Sequence, residues 1–226
     1  MSDGKEPPTG PNEGFMAHAS PRLRETLEQL AVDVNLKVGE VLFEEGDIGD
    51  ALYAVVKGGL EISVLSPDGR KLLLDVMRAG DLLGEIALFD PGVRTATVTA
   101  LEPTHLRKIA NSDLLSEIRV TPDLGEDMLK LAGQRMRWMT LQIGDQVFLP
   151  VPSRLARKLL YLTSSEPEKM LEMSQSQLGE FVGATREAVS KILGEWRRNE
   201  LVAVTRAGVT VKDRTALSKI ADPAAF

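Results

Sequence analysis

Residues 84–100, GEIALFDPGVRTATVTA, are apolar over most of their length yet carry Glu85 and Arg94. A carboxylate accepts hydrogen bonds from hydroxyls, and a guanidinium offers a planar fork matched to a phosphate. Asp90-Pro91-Gly92 reads as a turn that folds the chain back toward Glu85. Thr95 adds a hydroxyl beside Arg94, and backbone N–H groups at Gly84 and around the turn could complete an anion-binding concavity. A small ligand bearing a sugar hydroxyl and a phosphate would satisfy all of these groups. The alternative is an internal Glu85–Arg94 ion pair, whose desolvation offsets much of its attraction.

A second chemistry is written in residues 173–202, MSQSQLGEFVGATREAVSKILGEWRRNELV. Ser174 followed by Gln177 is a capping box, and Leu178, Phe181 and Val182 form the apolar face of the short helix it opens. Gly183 ends that helix and Thr185 caps the next, whose inner face is Val189, Ile192, Leu193 and Trp196. Two short helices with glycine between them are a helix-turn-helix pattern. Arg186, Glu187, Ser190 and Lys191 then face outward near the start of the second helix. Arg can donate twice to guanine, and Glu can accept from the cytosine amine. The following LVAVTRAGVTVKD reads as a hairpin turning at Ala207-Gly208, a wing beside the helices.

Positioning these groups requires different scaffolds. From Val34 to about Ile109 short apolar or alternating runs are separated by glycines, the texture of an antiparallel sandwich or barrel. Its clearest hairpin is SPDGRK at 66–71, with Asp68-Gly69 expected to supply positive φ angles. PRLRETLEQLA at 21–31 is a short amphipathic helix ahead of it. From Thr121 to Leu149 the period is helical, and Met128, Ala132, Met136, Met139 and Ile143 form a narrow stripe that predicts a dimer seam. Pro150 and Pro152 break the pattern and suggest a hinge, after which Ser153 is expected to cap a helix carrying Leu155, Leu159, Leu160 and Leu162. The expected organisation is a disordered tail (1–20), a β-rich domain (21–120), a central helix (121–149) and a DNA-binding domain (150–226).

Composition narrows the chemistry. The chain has 226 residues, 43% hydrophobic and 27% charged, an ordinary globular balance. It has no cysteine and two histidines, His18 and His105, which removes disulfides, thiolate nucleophiles and Cys-based metal or iron–sulfur sites and leaves little for His-based catalysis. An enzyme is therefore not expected, nor a metal site. The net charge of −6 is unevenly spread: residues 1–152 hold 15 basic and 24 acidic side chains, residues 153–226 hold 12 and 9. An acidic front and a mildly basic back suggest modules with different partners. With no secretory signal and no apolar run of membrane-spanning length, a cytoplasmic location is expected.

The sequence resembles the cyclic-AMP receptor protein family of bacterial transcription regulators, within the superfamily that includes the fumarate–nitrate regulators. GEIALFDPGVRTAT resembles that family's phosphate-binding cassette and QLGEFVGATREAVSKIL its helix-turn-helix; the layout is similar over about residues 21–215. The resemblance implies an α+β fold: an N-terminal β-roll (cyclic-nucleotide-binding jelly roll), a long central dimerisation helix and a C-terminal winged helix-turn-helix. It implies that Glu85 holds a ribose hydroxyl with Gly84 and Ile86 lining the site, and that Arg94 and Thr95 hold the cyclic phosphate. Ile62 and Leu74 would flank the base, with Arg135, Met139 and Thr140 near the purine, Thr140 coming from the partner subunit. Thr185, Arg186, Glu187, Ser190 and Lys191 would meet DNA. It further implies a homodimer on a palindromic double-stranded operator, RNA polymerase as a partner, and a cyclic-nucleotide effector, cAMP or cGMP. Two positions depart from the usual pattern: Met139-Thr140 stands where cAMP-responsive members usually have Thr-Ser, and Lys191 where Arg is frequent. The rival readings are a regulator of the same family that needs no ligand, and a cyclic-nucleotide-binding regulatory subunit of an enzyme complex.

Overall fold

The computed structural model describes residues 15–164, 167–168 and 170–222. These form two units, one of residues 15–70 and 74–137, the other of residues 71–73 and 138–222, so the division falls inside a helix, between Arg137 and Trp138, and also sets the first three residues of one strand, 71–78, apart from the rest of its sheet.

In the first unit, two antiparallel four-stranded sheets make the β-roll. Strands β1 (Val32–Leu36), β2 (Val41–Phe43), β3 (Ala51–Lys57), β4 (Gly59–Leu65), β5 (Lys71–Arg78), β6 (Leu82–Leu83), β7 (Thr97–Ala100) and β8 (Thr104–Ala110) pair in the orders β1-β8-β3-β6 and β2-β7-β4-β5. Alternation puts Tyr53, Val55, Leu60, Met77, Leu83, Val98 and Leu106 into one buried cluster. The outer side of β3 and β8 is covered by α1 (Pro21–Leu30), α3 (Asn111–Val120) and the start of α4 (Pro122–Phe148), through Leu23, Leu27, Leu52, Ile109, Leu114, Leu124 and Met128.

Three expectations need correction here. Of the tail, residues 1–14 lie outside the described residues, but 15–18 form a 3₁₀ turn, Ala19 is buried and Ser20 caps α1. The 66–71 hairpin is a type I turn followed by left-handed Gly69 (φ +80°), because Pro67 fixes a negative φ and Asp68 keeps one. The helix α5 (Val151–Leu162) starts before Ser153, which is buried inside it, because a proline is tolerated in a helix's first turn.

The second unit holds the last turns of α4, then α5, α6 (Gln175–Val182), α7 (Arg186–Arg198), a hairpin of β9 (Val202–Val204) and β10 (Val209–Val211), and α8 (Arg214–Ala221). Ser174 and Gln177 cap α6 reciprocally, Gly183 (φ +62°) closes it, and Thr185 caps α7. Val189, Leu193 and Trp196 bury one face of α7 as expected from their spacing. The architecture is therefore α+β: β-roll, long central helix, winged helix-turn-helix.

Around Pro150 and Pro152, which the sequence suggests as a hinge, side chains of α4 and α5 meet. Arg154 Nη1 donates to the Gln146 carbonyl at 2.6 Å, Arg157 pairs with Asp145, and the Trp138 and Tyr161 rings lie 6.3 Å apart. Lys158 lies over the Phe181 ring at 4.0 Å and donates to Gln142. These contacts join the end of α4 to α5 on both sides of the prolines. Burial pushes the Asp145 carboxyl up from its ordinary value, against the pull of Arg157.

Candidate effector and DNA sites

The cassette is built between β6 and β7. Gly84 follows β6 with φ +86°, and a Cβ there would sit 2.7 Å from Arg94 Nη1 and 2.9 Å from the Ala51 carbonyl, so only glycine lets the two segments approach. One helical turn, α2 (Ile86–Phe89), follows Glu85, burying Ala87 and Leu88 and leaving Ile86 and Phe89 exposed. The Asp90-Pro91-Gly92 stretch then returns the chain, with Arg94 N–H donating to the Asp47 carbonyl at 2.7 Å.

Arg94 is 5% exposed. Its Nη2 donates to the Ala51 carbonyl at 2.7 Å and its Nη1 to the Gly84 carbonyl at 3.4 Å. The guanidinium lies 4.2 Å from the centre of the Phe43 ring and 5.7 Å from that of Tyr53. Its ion pair is with the exposed Asp50, at 3.9 Å, and its buried Nε has no hydrogen-bond partner. A cation held by ring faces and neutral carbonyls keeps much of its charge unanswered. Phe43, Tyr53 and Asp50 were not anticipated from the sequence, since strand pairing brings them to Arg94 from 40 residues or more away.

Glu85 does not pair with Arg94. Among the described residues its ion pair is with Arg135 of α4, Nε to Oε1 at 3.7 Å, and Arg135 Nη1 also lies 3.7 Å from Asp75 Oδ2. Glu85 and Arg135 line a small cavity with Leu82, Met128, Leu131 and Ala132. The structure thus brings Gly84, Glu85, Arg94 and Arg135 into one neighbourhood and adds Asp75. Thr95 and Leu74 are exposed and Ile62 is half-buried on β4. Met139 and Thr140 fall in the second unit, both exposed on α4.

The residues expected at a dimer seam divide between core and surface. Met128 is 1% exposed in its own domain's core, and Ala132 is half-buried and lines the cavity. The solvent-facing apolar line keeps the expected Met136 and Ile143 and adds Leu129 and Val147, with Gly133 and Thr140 between them at alternating steps of four and three. Met139 is exposed beside that line.

In the second unit Thr185, Arg186, Glu187, Ser190 and Lys191 are all exposed on the first turns of α7. A groove beside them is lined by Ser174, Ser176, Arg186, Arg197, Thr205 and Arg206, between α6, α7 and the β9–β10 turn. Arg197 and Arg206 escaped the sequence reading because only the folded hairpin brings them beside Arg186. Three guanidiniums and three hydroxyls around one groove suit a phosphate backbone.

Residues 33–120 match the cyclic nucleotide-binding domain family and residues 153–220 the Crp-like helix-turn-helix domain family. The CRP-like cAMP-activated global transcriptional regulator of Mycobacterium tuberculosis (strain CDC 1551 / Oshkosh) is 29% identical over 213 residues, 91% of this chain and 95% of its own. The cyclic AMP receptor protein of Thermus thermophilus is 29% identical over 183 residues, 81% and 85% of the two chains. The structure of FixK2 from Bradyrhizobium japonicum has the same fold, with a TM-score of 0.77 at 19% identity over 84% of this chain and 96% of that one. A nucleotide-binding β-roll and a Crp-like helix-turn-helix, in that order along one chain, make this protein a member of the cyclic-AMP receptor protein (CRP/FNR) family of DNA-binding transcription regulators.

Proposed function

We propose that the protein is a homodimeric, ligand-gated regulator whose effector is a cyclic nucleotide, cAMP first and cGMP second. The observation that carries this reading is the buried Arg94: fixed by carbonyls and rings, unpaired with Glu85, and beside a turn at Gly84 that leaves no room for a Cβ. Arg94 and Thr95 take the cyclic phosphate and Glu85 a ribose hydroxyl, while Gly84 and Ile86 line the site. Ile62, Leu74, Arg135 and Met139 stand toward the base, with Thr140 from the partner. A thioether cannot accept a purine amine's hydrogen bond as a hydroxyl does, so Met139 keeps cGMP in play. No described helix is long and apolar enough to cross a membrane. A cytoplasmic protein working with RNA polymerase fits the family reading.

Two copies present two α7 helices, and a two-fold dimer reads a palindrome whose half-sites lie one helical turn apart, about 34 Å. The nucleotide acts only if it binds the DNA-competent arrangement more tightly than the other. Fluorescence anisotropy on a palindromic duplex, with and without cAMP or cGMP, tests this: affinity should rise at least about ten-fold with one of them, a coupling of ~1.4 kcal/mol. Unchanged affinity with both identifies the ligand-independent regulator instead. The alternative of a regulatory subunit leaves the exposed Arg186, Glu187, Ser190 and Lys191 without a partner.

Arg186→Ala should lose ~1–3 kcal/mol on the specific duplex and relax the preference at one base pair. Equal losses on specific and random duplexes would assign Arg186 to phosphate alone.

A further inference from the structure

Arg135 stands where α4 should present an apolar side chain. Leu124, Met128 and Leu131 precede it at steps of four and three, all buried in the β-roll unit's core, and Arg135 is the next position on that line. Its guanidinium therefore enters the same interior. It approaches Oδ2 of Asp75 and Oε1 of Glu85 at 3.7 Å each, with the Met77 sulfur 3.7 Å from Nη2. Neither carboxylate contact is short enough for a hydrogen bond. The Asp75 side chain is 5% exposed, deeper than that of Glu85 at 15%, and its Oδ1 is held by the Val76 N–H at 2.8 Å. That backbone bond fixes the Asp75 carboxylate in place.

We propose that Asp75 is a positioning residue of the effector site: it draws Arg135 away from Glu85, so that the Glu85 carboxylate stays open to a ligand hydroxyl. This rests on the reading of Glu85 as the hydroxyl acceptor given above. A guanidinium facing one carboxylate closes into a two-bonded fork at about 2.7–2.9 Å, which would occupy both Glu85 oxygens. A second carboxylate fixed on the other side opposes that closure. Without its charge the pull on Arg135 is one-sided, and a ligand hydroxyl must then displace a closed ion pair.

The test is calorimetry with cAMP and cGMP on the wild type, Asp75→Asn, Arg135→Gln and the double variant. Asp75→Asn should weaken nucleotide binding about ten-fold, within the range of coupling between residues in one charged network. In the Arg135→Gln background it should cost nothing further, because the residue it restrains is gone. A crystal structure of nucleotide-free Asp75→Asn should show Arg135 at hydrogen-bond distance from Glu85. No loss in the wild-type background, equal losses in both backgrounds, or an unchanged Arg135–Glu85 distance overturns the inference. Where Arg135→Gln alone abolishes binding, the crystallographic distance decides; Asp75→Ser replaces Asp75→Asn if the latter fails to fold. A wild type that binds neither nucleotide overturns the effector reading and this inference together, whereas a wild type that binds and an Asp75→Asn that binds equally overturns this inference alone.

Discussion

Replacing Arg94 by alanine should weaken cyclic-nucleotide binding by about 100-fold or more, the loss of two charge-assisted hydrogen bonds to a phosphate at ~1.5–3 kcal/mol each. The argument starts from its surroundings. The side chain is buried, yet its strongest protein contacts are neutral: two carbonyls and the face of Phe43. Asp50 answers its charge only from 3.9 Å and from solvent. A buried cation with so little opposite charge is disfavoured in a resting protein and favoured once an anion arrives. Alanine also strands the Ala51 and Gly84 carbonyls, at ~1–3 kcal/mol, so the melting temperature should fall by a few degrees without loss of the fold. Arg94→Lys separates the two effects: it keeps the charge but not the planar fork and should bind with intermediate affinity. Calorimetry alongside thermal unfolding checks this. Affinity within a few-fold of wild type in Arg94→Ala would show that the guanidinium is a structural strut and that no anion binds there.

In the proposed mechanism, Arg135 is the residue through which a ligand at Glu85 would reach α4. α4 carries its side chain into the β-roll unit, so a ligand that rearranges Glu85 also acts on α4. Farther along, Trp138, Gln142 and Asp145 engage α5 through Tyr161, Lys158 and Arg157. The same helix thus has its first half packed into the effector domain and its last turns fastened to the DNA-binding domain.

What the sequence made legible follows from the range of the forces involved. Caps, periodicity and turn glycines act within a few residues, so α1, α4, α6, α7 and the β9–β10 wing stood out. The short α2 and the ten-residue α3 did not, because Leu114, Leu115 and Ile118 give too little periodic signal next to a run of strands. Glu85 and Arg94 were recognisable as charges in an apolar setting. Their partners were not: Phe43, Tyr53 and Asp75 reach the site through sheet pairing, which sequence spacing does not encode. The position of Met128 in the core was hidden for a related reason. α4 carries two apolar stripes, one with Met128 and one with Leu129, and only the packed β-roll shows which is already used.

That outer stripe carries the other large expected effect. Met136 and Ile143 are each 63% exposed and seven residues apart, the repeat of a two-stranded coiled coil. Leu129 and Val147 extend the line by a turn or more at each end, and Gly133 and Thr140 between them are small enough to let a second helix come close. In the proposed homodimer this line of apolar side chains over five turns is the surface that an identical helix would cover. Met136→Asp with Ile143→Asp would place two carboxylates from each chain against each other at the axis, so the double variant should sediment as a monomer. DNA affinity should then fall by about 10²–10⁴, because two half-sites held together bind with a high effective concentration that a single half-site lacks. Nucleotide binding to the β-roll should weaken without being abolished, since Glu85 and Arg94 stay in place while the proposed contact from the partner's Thr140 is lost. A double variant that stays dimeric would place the interface elsewhere on the chain, and a monomer with unchanged DNA affinity would mean that one α7 is sufficient.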